Sequence, residues 1–70
     1  MSTTASTPAE LAGRTLRMMR NAHGATVGEL AGLAGCSPQH LSQVELGRRN
    51  ASPALTQRLA DALARLAARA

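Results

Sequence analysis

Gln39 and Gln43, four residues apart, are the side chains best suited to recognition chemistry in this sequence. A carboxamide carries both a donor and an acceptor, so it can pair in bidentate fashion with N6 and N7 of adenine at a base edge. Ser42, beside Gln43, adds a hydroxyl that both donates and accepts. Directly afterwards comes Gly47-Arg48-Arg49-Asn50, two cations and an amide on a loop, fit to reach phosphate oxygens. Thr26 and Val27 open a second candidate anion contact, because free N–H groups and the positive end of the dipole collect at a helix start. Gln39 and His40 also lie near a helix start and could serve a phosphate instead. Taken singly, an exposed Gln is often only a solubilising residue and a loop Arg pair only solvated charge.

Other chemistries find less support. His23 and His40 have no Cys or Asp partner at metal spacing, and Cys36-x-x-x-His40 offers two ligands rather than a tetrahedral set. No Ser-His-Asp order, paired acids or Gly-rich phosphate loop is present, so no catalysis and no cofactor are expected. Cys36 reads as a small, half-buried turn residue, with a redox role held in reserve.

The elements that must position these residues are marked by four helix starts. Thr7-Pro8-Ala9-Glu10 and Thr26-Val27-Gly28-Glu29 are Thr-x-x-Glu capping boxes. Ser37-Pro38 and Ser52-Pro53 pair a capping hydroxyl with a proline, which lacks the N–H that a first helical position leaves unpaired. All three prolines fall on such starts, and none interrupts an apolar period, so the expected fold is all-α. The spacing predicts helices over about 8–22, 27–34, 38–46 and 53–69. Residues 1–7 form a Ser/Thr-rich tail expected to be disordered, and 8–70 form one domain. On the first helix, Leu11, Ala12, Thr15, Leu16 and Met19 mark an expected inner face. On the second, Leu30, Leu33 and Ala34 do so. Gly28 and Gly32 weaken that helix by about 1 kcal/mol each relative to Ala, and their smallness would let another helix approach. At roughly 100° per residue, Leu41, Val44 and Glu45 fall on one side of the third helix, with Gln39, Gln43 and Leu46 opposite, Ser42 beside them and His40 at the flank. Two short helices joined by a three-residue turn containing Gly resemble a helix-turn-helix unit, whose second helix enters the major groove of DNA.

Composition sets the outer limits. The chain has 70 residues, a net charge of +4 and eight basic residues, all Arg. A basic domain of this size suits nucleic acid first and a membrane surface second. The absence of Phe, Tyr and Trp argues against binders that stack single-stranded bases. One cysteine forbids an internal disulfide, which fits a reducing cytoplasm. Neither a signal peptide nor a membrane span is expected.

The residue string itself carries a resemblance. Leu16-Arg17-x-x-Arg20, Thr26-x-x-Glu29-Leu30-Ala31-x-x-Ala34-Gly35-Cys36-Ser37, Leu41-Ser42-x-x-Glu45-x-Gly47-x-Arg49, Ser52 and Leu59-Ala60-x-Ala62-Leu63 stand in order over about residues 10–64. Together they resemble the Cro/repressor-type (XRE-like) helix-turn-helix family. Ala51 stands where that family often has Pro, and Pro38 where relatives often carry a base-contacting side chain. The resemblance implies a compact, lambda-repressor-like bundle of four or five helices. It implies a transcriptional regulator, expected to be a repressor, that binds double-stranded operator DNA as a homodimer. No enzyme activity, small-molecule ligand or membrane partner follows from it, and the expected setting is the nucleoid in the cytoplasm. It further implies that Gln39 and Gln43 contact bases and that Arg20 and Glu45 form a structural ion pair. An antitoxin-like protein-interaction module on the same fold is the alternative. The spacing of Leu59, Leu63, Leu66 and Ala70 offers either a dimer seam or the closing face of the bundle.

Overall fold

The computed structural model describes residues 6–69. Its helices are α1 Pro8–Ala22, α2 Val27–Ala34, α3 Pro38–Glu45 and α4 Pro53–Ala68, and no strand occurs among the described residues. Thr7, Thr26, Ser37 and Ser52 each stand at an N-cap, where the side-chain oxygen accepts the third backbone N–H of its helix. At Thr7 and Thr26 the glutamate three residues on returns a bond to the cap N–H, completing both boxes. Of the tail expected over 1–7, Ser6 and Thr7 are in contact with α1. Thr7 caps α1, and Ser6 Oγ accepts a hydrogen bond from Arg14 at 3.0 Å. The remainder of that expectation, residues 1–5, lies outside the described residues, as does Ala70.

α2 packs on both α3 and α4, and α1 packs on α3. Leu30 and Leu41 are fully enclosed at the centre, surrounded by Ala31, Ala34, Leu55, Leu59, Ala62, Leu63 and Leu66. With no aromatic side chain available, this core is filled by leucine and alanine, so helices must approach closely to exclude water. Leu59, Leu63 and Leu66 are therefore occupied inside the monomer. α4 closes the bundle with them rather than offering them as a seam.

Two expected inner faces are corrected. On α2, Leu33 is exposed and Ala31 is buried in its place, because the helix turns its Leu30–Ala31–Ala34 side toward α3 and α4. On α1, the buried residues are Gly13 and Arg20, with Leu16 half-buried, while Leu11, Ala12, Thr15 and Met19 are exposed. The cause is Gly13. A Cβ there would stand 2.4 Å from the Val44 carbonyl oxygen and 2.5 Å from that of Glu45. α1 thus lies directly on the backbone at the end of α3, and its apolar stripe is turned aside. The close approach expected at Gly28 and Gly32 is absent, since no other helix comes near either. Gly47, at φ 76°, ends α3 with its Cα against Glu10 of α1, where a Cβ would meet the Glu10 Cα at 2.7 Å.

Candidate nucleic-acid interface

α3 is anchored from its inner side. Leu41, Val44 and Glu45 are buried, so the opposite side, with Gln39, Ser42 and Gln43, must face outward. Gln39 is exposed, and His40, Ser42 and Gln43 are half-buried. These four share an open groove of about 1070 Å³ with Val27, Ser37, Pro38 and Arg49. The start of α2, the outer face of α3 and the loop after α3 therefore form one continuous concave surface. Arg48, Thr26 and Asn50 stand outside this groove, and all three are exposed.

The loop carrying the arginines is tied to the helix. The Gln43 carbonyl accepts from the N–H of Arg48 at 2.9 Å and from that of Arg49 at 3.3 Å, and the Val44 carbonyl accepts from Gly47. These bonds satisfy carbonyls that a helix end otherwise leaves unpaired. They also fix the Arg48 and Arg49 backbone relative to the Gln43 side chain, while both guanidinium groups remain in water.

The start of α2 leaves fewer free donors than its sequence implies. The Thr26 N–H donates to Glu29 at 3.0 Å, and the Thr26 hydroxyl oxygen accepts the Glu29 N–H at 3.0 Å. The backbone N–H of Thr26 holds the Glu29 carboxyl below the usual carboxylate range, with smaller help from Arg69 and the Thr26 side chain. Thr26 thus offers an anion only its hydroxyl proton, and the amides left without an intrahelical partner are those of Val27 and Gly28.

Behind this surface, the structure brings Arg20 and Glu45 together. Nε of Arg20 donates to Glu45 Oε2 at 2.7 Å and Nη2 donates to Oε1 at 2.9 Å, a two-point fork. Nη1 of Arg20 donates to the Ala25 carbonyl at 2.9 Å. The hydrogen bonds that Arg20 donates to Glu45 raise the Arg20 pKa above its ordinary value. Both residues are buried, at 9% and 8% exposure. This fork joins α1, the α1–α2 turn and the end of α3, so it sets how the outward face of α3 is presented.

A family profile described as a helix-turn-helix domain matches residues 11–70. The chain belongs to the helix-turn-helix family. Two crystal structures are similar to it. The restriction-modification controller protein C.AhdI from Aeromonas hydrophila has a TM-score of 0.79 at 36% identity, over 80% of this chain and 85% of that one. The clp gene regulator ClgR from C. glutamicum has a TM-score of 0.84 at 33% identity, over 90% of this chain and 81% of its own. No match is found among curated protein sequences. The fold of this helix-turn-helix domain is thus that of DNA-binding transcriptional regulators, with α2 and α3 as the two helices of the motif.

Within this helix-turn-helix domain, one supporting residue is invisible in the sequence pattern. Arg58 of α4 donates through Nε to the Ala34 carbonyl at 2.8 Å, capping the C-terminal end of α2. The last turn of α2 has no basic residue of its own, which is the only hint that one must come from elsewhere. Cys36 sits half-buried in the turn, with its N–H donating to the Ala31 carbonyl at 3.0 Å. Burial pushes its thiol pKa up against the opposing pull of Arg58, which disfavours the thiolate needed for redox chemistry. Among the described residues no three His, Cys, Asp or Glu side chains gather to hold a metal, and no helix is long and apolar enough to cross a membrane.

Proposed function

We propose that this domain represses transcription by occupying a two-fold operator as a dimer, with α3 of each copy in the major groove. The observation that carries the reading is the shared groove of Gln39, Ser42, Gln43 and Arg49 on the outer side of α3. Gln39 and Gln43 read base edges, and Ser42 assists. Arg49 and Arg48 hold phosphates beside the groove, together with Asn50, the Val27 amide, the Thr26 hydroxyl and His40. Occupancy alone is enough to block transcription, so repression asks nothing of the surface beyond this contact. The description of the two similar structures as a controller protein and a gene regulator supports the same reading.

Selection from a pool of random duplexes tests it, followed by titration of the winners at two salt concentrations. The expected result is a two-fold motif with half-site centres about 10–11 bp apart or a multiple of that. Absence of enrichment, with only weak salt-sensitive binding, would overturn the reading.

A further inference from the structure

α1 and α4 flank a cleft of about 740 Å³ whose walls include Ala12, Leu16 and Met19 on one side and Ala60, Leu63 and Ala64 on the other. Met19 on the cleft wall is 45% exposed, and at the edge of α1 beyond it, next to Arg14, Leu11 and Met18 are 52% and 66% exposed. Long apolar side chains held in water at this density mark a surface that something covers. Leu59 and Leu63 of α4 form the floor of the cleft while remaining buried in the monomer core.

Charge identifies the occupant. The chain carries eight arginines against four acids. By helical arithmetic Arg17 leaves α1 on the side away from the cleft, Arg14 stands at the edge beside Leu11 and Met18, and Arg58, Arg65 and Arg69 leave α4 on the side away from Ala60 and Ala64. Two copies meeting through those sides would set like charges together, whereas on the cleft face only His23 and Arg49 among the lining residues bear a basic group. A two-fold contact also requires one patch to supply both projection and recess. Met19, with Leu11 at the edge, is the projection, and the alanines of α1 and α4 form the recess. Helices of 15 and 16 residues at ~1.5 Å rise give a face of roughly 23 Å by 20 Å. That projects to about 460 Å², somewhat short of the ~600 Å² per copy at the low end of stable interfaces, so the contact is expected to be a weak one.

We propose that a second copy of this chain covers the α1–α4 face about a two-fold axis, each copy placing its Met19 over the alanine-lined cleft of the other. The proposal rests on the dimeric reading above and gives it a surface.

The test is sedimentation equilibrium on the full chain and on Met19→Glu and Ala64→Glu, with circular dichroism of each. Both positions are exposed in the monomer, so the variants should keep their helices; if one does not fold, the other decides. The wild type should dimerise, and each variant should self-associate about a hundredfold more weakly, since every two-fold contact would bury two unpaired carboxylates. Each variant should also keep its binding to an isolated half-site. Undiminished dimers in the variants would overturn this face and leave the dimeric reading standing. A wild-type chain that stays monomeric in solution and on its selected duplex would overturn the dimeric reading, leaving the cleft to a ligand or a different protein.

Discussion

The glutamines and arginines of the α3 surface differ in what they can distinguish. A carboxamide bonded to a base edge is sensitive to which base is present, whereas a guanidinium on phosphate is not. Gln43→Ala should therefore cost about 1–3 kcal/mol on the best operator and relax one base position. Measured by titration on matched and single-substituted duplexes, an equal loss on random DNA would remove the case for base readout. Arg49→Ala should weaken binding to every duplex alike and lower the salt slope by about 1, checked by titrations across salt concentrations. The outward placement of the glutamines was legible from spacing, since the wheel of α3 puts Leu41, Val44 and Glu45 on one side and the glutamines on the other. The reduced role of Thr26 was not, because a Thr-x-x-Glu string reads equally as a cap and as an anion site. Only the 3.0 Å bond from the Thr26 N–H to Glu29 shows which of the two that N–H serves.

At the scale of elements, capping chemistry fixed every helix start in advance, because a cap acts on backbone groups three residues away and needs no tertiary partner. The inner faces were harder. An apolar stripe says that a helix has two sides without saying which neighbour, if any, covers the apolar one. On α1 the decisive residue is Gly13, which carries no apolar signal at all. Gly13→Ala should destabilise the fold by about 1–3 kcal/mol or more, since the rigid Val44 and Glu45 backbone cannot move aside; thermal unfolding followed by circular dichroism measures it. The caps themselves should respond to acid. Glu10 and Glu29 are both held below the usual carboxylate range, chiefly by the N–H of Thr7 and of Thr26. A carboxyl with a depressed folded pKa contributes stability that is complete above its unfolded value, near pH 4.3, and is lost as pH falls through the folded value. Glu29→Gln, which retains a capping acceptor, should lose part of that acid sensitivity, seen as a smaller fall in unfolding temperature between about pH 5 and pH 3. Identical acid profiles for the two proteins would contradict this.

The whole molecule is a leucine–alanine bundle with one buried polar fork. A domain of this size has a stability of about 5–15 kcal/mol at most, and breaking a buried ion pair from one side costs about 3–5 kcal/mol. Arg20→Ala should therefore leave a largely unfolded chain or a much less stable one. Replacing both Arg20 and Glu45 with apolar residues should be far milder in denaturant titrations, because no carboxylate is then left buried alone. The pairing of these two residues across 25 positions came from family resemblance, with Glu45 on the inward side of α3 as its local sign. Arg58 on the Ala34 carbonyl had no such sign, being one of several arginines on α4 that the pattern cannot tell apart.

Arg49 borders both the α3 groove and the α1–α4 cleft. A side chain shared by two surfaces makes their occupancies thermodynamically reciprocal: whatever factor operator binding adds to pairing of the chains, pairing must add to operator affinity. The dose–response follows from this. Where pairing of chains and seating on DNA favour each other, operator filling rises more steeply than in proportion to protein concentration. A modest change in the amount of the protein would then act on its target as a threshold rather than a graded dial.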